Sequence, residues 1–271
     1  MTRKQLIQQI KKKKSYLCVG LDTDITKIPP HLLKYKNPIL EFNKQIIEAT
    51  HDVCVAYKPN IAFYEMYGAK GWETLEKTVR HIPENIFTIA DAKRGDIGNT
   101  SNMYAKAFLE NLPFDAITIA PYMGEDSIKP FLELKNKWAI VLGLTSNKGA
   151  QDFQFLKVNK KPLYQLVMEK CMQYGTPENM MFVVGATKEE YFEEIRKFCP
   201  DNFLLVPGVG AQGGDLQKLS QYGMNKEVGL LVNATRSIIY ASNGKDFAER
   251  ARAEAQKLQQ EMKQYLKEFS V

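Results

Sequence analysis

The chain has 271 residues, of which 44% are hydrophobic and 25% charged, with a formal net charge of +6. That apolar share suffices for a core, but no run approaches the roughly 20 residues of a membrane span, so a water-soluble protein without a membrane partner is expected. A (β/α) barrel of about 250 residues folds as one domain, so residues 1–271 are read as a single domain.

Residues 1–15 are polar, carry the basic run 11–14 and lack the apolar stretch of a secretory leader, so they read as a first helix. The excess positive charge suits an anionic ligand and would also suit nucleic acid. The four lysines of 11–14 are not interleaved with aromatics and sit in no nucleic-acid module. They read as a solvated helix face, and no nucleic-acid partner is expected.

Beyond this helix, short apolar runs recur at 16–20, 53–57, 86–90, 116–120, 138–142, 180–184, 203–206 and 230–232, each followed by a turn signal and a polar, helix-like stretch. Strands alternating with helices imply parallel β-α units, and eight of them point to the α/β class and a closed (β/α)8 TIM barrel. Segments 38–51, 68–81 and 187–199 place apolar residues at helical spacing, as helices outside a barrel should. Residues 246–269 contain neither Gly nor Pro and predict one long C-terminal closing helix. The polar stretch 147–161 and the glycine-containing turn 207–214 are lid candidates.

Cys18, Cys54, Cys171 and Cys199 form no C-x-x-C pattern and lie mostly in apolar runs, which suggests reduced structural thiols and a cytoplasmic location. His31, His51 and His81 lie away from strand ends and offer neither a nucleophile-base pair nor a metal site.

In a barrel the chemistry sits at the C-terminal ends of the strands. There the sequence places Asp22 after the first run, Lys58 after the second, Asp91, Lys93 and Asp96 after the third, Thr145 and Ser146 after the fifth, Gln212 after the seventh and Arg236 after the eighth. Asp91-Ala92-Lys93-Arg94-Gly95-Asp96 crowds two acids and two bases at the end of a buried strand, where charge costs several kcal/mol unless paired or used. A strand-end salt bridge followed by a helix cap is one reading, and a catalytic charge network is the other. Strand alternation would put Asp91 and Lys93 on one face. Pro207-Gly208-Val209-Gly210-Ala211-Gln212-Gly213-Gly214 supplies backbone N–H groups ahead of a helix near Asp215, and Arg236 on the next strand could clamp the same anion, so together they read as a phosphate site. Asp22, Thr145 and Ser146 are equally ordinary helix-start residues.

The block Asp91-Ala92-Lys93-Arg94-Gly95-Asp96-Ile97-Gly98-Asn99-Thr100 resembles the D-x-K-x-x-D-I-x-N-T signature of the orotidine 5'-phosphate decarboxylase family, in its longer bacterial-type subgroup (type 2). Gly20-Leu21-Asp22, Ala56-Tyr57-Lys58-Pro59-Asn60, Leu144-Thr145-Ser146, the 207–214 turn and Ala234-Thr235-Arg236-Ser237 extend the likeness along nearly the whole chain. The resemblance implies decarboxylation of orotidine 5'-monophosphate to uridine 5'-monophosphate and CO2 in de novo pyrimidine biosynthesis, with no cofactor and no metal. It also implies a homodimer. Lys58, Asp91, Lys93 and Asp96 would form the charged tetrad, with Lys93 protonating C6. Asp96 and Thr100 would reach across the interface into the partner's site. Asp22 and Thr100 would bind ribose hydroxyls, Ser146 rather than Thr145 the pyrimidine, and Gln212 and Arg236 the 5'-phosphate. The glycine-containing loop is longer than in compact members, which leaves the register of Gln212 open.

Sugar-phosphate enzymes of the same superfamily, a 3-hexulose-6-phosphate synthase or a 3-keto-gulonate-6-phosphate decarboxylase, share a related motif but use Mg2+ and a glutamate where Lys58 stands. A non-enzymatic barrel, or an RNA binder using 11–14, is the alternative of a different class.

Overall fold

The computed structural model describes residues 1–209 and 214–269. Eight parallel strands, β1 (Leu17–Gly20), β2 (Ala56–Lys58), β3 (Phe87–Arg94), β4 (Ala116–Ile119), β5 (Trp138–Leu144), β6 (Met180–Val184), β7 (Phe203–Pro207) and β8 (Leu230–Ala234), each pair with their chain neighbours. Pairing of β1 with β8 closes the barrel, so the fold is the expected (β/α)8 architecture. β1, β4, β6 and β8 are buried along their whole length, because one face fills the barrel and the other lies under helices.

Two strands depart from the expected bounds in ways that matter. β2 starts three residues later than the run 53–57 and therefore carries Lys58 as its last residue. β3 continues through Asp91, Ala92, Lys93 and Arg94. Both shifts follow from pairing: the Leu21 N–H donates to the Lys58 carbonyl at 3.1 Å and the Ala120 N–H to the Arg94 carbonyl at 2.8 Å, which keeps these polar residues in the ladder.

The helix Arg3–Lys13 begins with a Thr2/Gln5 capping box and stops at Lys14, whose φ of 51° is left-handed. Lys11, Lys12 and Lys14 are exposed, as expected of a solvated face. Lys13 is not. Its Nζ donates to the carbonyls of His51 and Cys54 at 2.6 and 2.8 Å, just beyond the helix Pro38–Thr50, where a cation complements the helix dipole. The closing helix Phe247–Glu268 packs on Pro38–Thr50: the Phe42 and Phe247 rings stack at 5.1 Å, and Arg252 grips both oxygens of Asp52 at 2.7 Å. The segment expected as one helix over 187–199 is split into a 3-10 turn, Ala186–Tyr191, and an α-helix, Phe192–Phe198, which begins at a buried ring seated against Gly223.

The polar stretch 147–161 is built rather than structureless. A short helix, Ala150–Phe153, leads to a two-stranded hairpin of Lys157–Val158 and Lys161–Pro162. Asn159 and Lys160 both have positive φ, as a type I' hairpin turn requires. All four cysteines are buried free thiols. Among the described residues no helix is long and apolar enough to cross a membrane.

Candidate active site

The end of β3 is irregular. Its pairing to β4 shifts register between Ala90 and Arg94, and Lys93 sits at φ 48°, a conformation a lysine adopts only when its surroundings impose it. Side-chain alternation along a regular strand therefore does not explain why Asp91 and Lys93 meet. They meet because the bulge turns Lys93 back, leaving its Nζ 2.5 Å from Asp91 Oδ1. Thr118 on β4 holds this geometry: its Oγ1 accepts from the Lys93 backbone N–H at 2.9 Å and donates to Asp91 Oδ1 at 3.1 Å. Thr118 went unnoticed in the sequence because it lies inside an apolar run, and only the register of β3 on β4 gives it a role.

Lys58, at the end of β2, donates to the other Asp91 oxygen at 2.8 Å and stands 4.0 Å from Asp22 Oδ1. Asp22, Lys58, Asp91 and Lys93 thus form one chain of alternating charge within a single subunit. The Lys58 side chain is only 4% exposed, whereas that of Lys93 is 50% exposed at the open end. Burial opposes the charge of Lys58, but Asp22 and Asp91 outweigh it and hold the ammonium above the ordinary lysine value. Burial likewise pushes the Asp91 carboxyl up, and Lys58 with Lys93 overrides this and holds it well below the usual carboxylate range. Burial lifts the Asp22 carboxyl, an effect that Lys58 only partly offsets and Asp91 reinforces. Asp22 Oδ1 is buried and makes no hydrogen bond among the described residues, which leaves it able to accept one.

Thr118→Val keeps the shape and removes the hydroxyl, leaving the Lys93 N–H without its acceptor. It should cost about 1–3 kcal/mol of stability, measured by denaturant unfolding, and lower turnover. Unchanged stability would show that Thr118 does not hold the bulge.

Asp22, Lys58 and Asp91 line one side of a cleft of about 370 Å³, and Pro207, Gly208, Val209 and Arg236 line the other. Gly20 makes this closure possible, since a Cβ there would fall 1.9 Å from Thr235 Oγ1, beside Arg236. The Arg236 side chain is exposed, and no described residue pairs with its guanidinium. Lys27 and Tyr240 also line the cleft, and neither had a strand-end signal in the sequence. The Tyr240 hydroxyl donates to the Asp22 carbonyl at 3.0 Å and accepts from the Asp24 N–H at 2.8 Å, which fixes the loop after β1. Asp215 caps the helix Leu216–Gly223, where a helix start was expected. Gln212 lies outside the described residues.

Ser146 follows β5 beside Gly185, where a Cβ would approach Ser146 Cβ to 2.7 Å. Thr145 is fully engaged within its own loop: its hydroxyl donates to Asn147 Oδ1 at 2.6 Å and accepts from Gln154 Nε2 at 2.7 Å. Neither residue lines the cleft. Asp96 and Thr100 do not join the network either. Asp96 Oδ1 accepts from the neighbouring Ile97 N–H at 2.7 Å, and Thr100 is exposed on the first turn of the helix Gly98–Lys106. None of His31, His51 and His81 lines the cleft.

Residues 15–251 match the model of the "Orotidine 5'-phosphate decarboxylase / HUMPS family". The chain is 63% identical over 265 residues to the orotidine 5'-phosphate decarboxylase of Flavobacterium johnsoniae, covering 97% of each chain. It is 60% identical over 265 residues to that of Christiangramia forsetii, again with 97% of each covered. Among solved structures, the OMP decarboxylase of Leishmania donovani is similar with a TM-score of 0.84 and 35% identity over 98% of both chains.

Proposed function

Because the chain belongs to the orotidine 5'-phosphate decarboxylase / HUMPS family, we propose that it decarboxylates orotidine 5'-monophosphate to uridine 5'-monophosphate in pyrimidine synthesis, through a C6 carbanion that Lys93 protonates. The observation that carries this reading is the alternating chain Asp22–Lys58–Asp91–Lys93, which ends in a half-exposed ammonium and whose first three members line a cleft shared with Arg236.

The chemistry is demanding, because breaking the C6–carboxylate bond leaves an electron pair on an sp2 carbon with no adjacent sink. Fixed charge must supply the stabilisation. The Lys93 ammonium lies against C6, stabilises the developing pair and transfers a proton to it as CO2 departs. Asp91, held ionised by two lysines, stays charged even beside the substrate carboxylate. At about 4 Å and an effective dielectric near 20, two such charges repel by about 4 kcal/mol, a repulsion relieved when neutral CO2 leaves. Lys58 fixes Asp91 and keeps the network charged. No cofactor or metal enters this scheme: a buried cation at Lys58 repels a second cation, which argues against the Mg2+-dependent sugar-phosphate reactions of the superfamily.

Substrate contacts follow from the same cleft. Asp22 Oδ1, ion-paired with Lys58 at 4.0 Å but without a hydrogen bond among the described residues, accepts from a ribose hydroxyl. Arg236, with Gln212, binds the 5'-phosphate, and remote binding energy of this kind drives closure of 147–161 over the site. By the family resemblance, Ser146 rather than Thr145 contacts the pyrimidine. Arg236→Ala should lower kcat/KM by about 10–100-fold, mostly through KM, in steady-state assays. An unchanged KM would remove Arg236 from the phosphate site.

The protein acts as a homodimer in this reading. Asp96 and Thr100 are absent from the lining of their own cleft, and large apolar side chains of the same and the following segment are exposed: Ile97 at 58%, Tyr122 at 96%, Met103 at 51% and Met123 at 44%. Such a patch fits a subunit interface. Across it, Asp96 completes the partner's tetrad and Thr100 reaches the partner's ribose. The four free buried thiols suit a reducing compartment, so we place the enzyme in the cytoplasm.

The test is an ultraviolet assay of orotidine 5'-monophosphate loss in the presence of EDTA. Full activity with chelator supports the proposal. No turnover of this nucleotide, with metal-dependent turnover of a hexulose or gulonate phosphate, would replace it.

A further inference from the structure

Arg94 stands between the two functional halves of the decapeptide, and the chemistry above gives it no task. It is not among the residues lining the cleft. One guanidinium nitrogen donates to the carbonyl of Ala92 at 3.1 Å, a bond that spans Lys93. Another pairs with Glu65, and the group lies 5.5 Å from the ring centroid of Tyr104 and 5.4 Å from that of Phe108. Nε is buried without a hydrogen-bond partner among the described residues.

Stability alone does not explain this arrangement. A part-buried cation with an unsatisfied buried N–H is costly, and apolar residues of similar volume serve stability as well or better. Its geometry instead bears on position. Glu65 ends the short helix Ala62–Glu65 that follows Lys58-Pro59-Asn60. The same two strand ends are already joined by the Asp91 N–H donating to the Pro59 carbonyl at 3.1 Å and the Ile61 N–H donating to the Asp91 carbonyl at 3.2 Å. Arg94 adds a side-chain bond to these links. At its own backbone the Arg94 carbonyl accepts from the Ala120 N–H at 2.8 Å, which anchors the far side of the bulge on β4. Tyr104 belongs to the helix Gly98–Lys106, which carries Thr100 and begins just after Asp96.

We propose that Arg94 and Glu65 are a positioning pair for the decarboxylation: the guanidinium staples the bulge at Lys93 to the helix after Lys58, setting the Lys93 ammonium on the reacting carbon and aiming Asp96 at the neighbouring subunit. Lysine cannot replace it, because an ammonium has neither the planar fork that reaches Ala92 and Glu65 together nor a face to lay on two rings. The inference rests on the reading of this chain as an orotidine 5'-monophosphate decarboxylase.

Arg94→Lys and Glu65→Gln, assayed beside the unmodified enzyme for kcat, KM and thermal midpoint, test it. A misplacement of about 1 Å at the reacting groups costs about 100-fold, so kcat should fall by that order while KM stays within about threefold and the midpoint within about 5 °C. In Arg94→Ala, added methylguanidinium should restore part of kcat without moving the midpoint. If Arg94→Ala does not fold, the two milder variants decide. A kcat loss smaller than about fivefold in both, or a loss that follows KM or the folded fraction, overturns the proposal. An unmodified enzyme that does not turn over the nucleotide overturns the functional reading instead.

Discussion

Lys93→Ala is expected to lower kcat on orotidine 5'-monophosphate by about 10,000-fold or more, with KM changed far less. Two effects end together when its ammonium is removed. Proton transfer by a placed group contributes about 100–10,000-fold, and a fixed charge facing developing negative charge contributes about 100–1,000-fold. A loss of about 10,000-fold corresponds to about 5.5 kcal/mol of transition-state stabilisation. Ground-state affinity rests on Asp22 and the phosphate site across the cleft, so binding of a product analogue should persist. The fold should persist too, since Lys93 is half exposed and its removal leaves Asp91 paired with Lys58 and Thr118. Near-native turnover in this variant would mean that another group delivers the proton.

The second large effect concerns the division of the decapeptide between two sites. Lys93→Ala and Asp96→Asn, each nearly inactive alone, should complement when mixed and allowed to exchange subunits. In a heterodimer one site receives Lys93 from the Asp96→Asn chain and Asp96 from the Lys93→Ala chain, while the other site lacks both. Random exchange in a two-fold dimer makes half the dimers mixed, so about a quarter of the native activity should return. A mixture no more active than its parts, with exchange demonstrated by differently tagged chains, would place Asp96 in its own subunit's site or in none.

Most of the architecture could be read from the chain because each barrel strand is an apolar run ended by turn residues, and eight of them alternate with helical stretches. The strand ends then pointed to Asp22, Lys58, Asp91, Lys93 and Arg236, which the fold does gather around one cleft and one network. What escaped was set by contacts between distant segments. The bulge at Lys93 and the part played by Thr118 depend on how β3 pairs with β4, and local sequence carries no mark of that pairing. Lys27 and Tyr240 enter the cleft from the loop after β1 and the turn after β8, outside the strand ends where chemistry was sought. Lys13 looked like one more solvated lysine until the end of the helix Pro38–Thr50 was placed beside it.

The most direct measurement is turnover of orotidine 5'-monophosphate in D2O with EDTA, following CO2 release and the hydrogen isotope at C6 of the product. Equal amounts of CO2 and uridine 5'-monophosphate are expected, the latter carrying deuterium at C6, with both products lost in Lys93→Ala. Absence of either product, dependence on added metal, or undiminished deuteration by Lys93→Ala would contradict this mechanism.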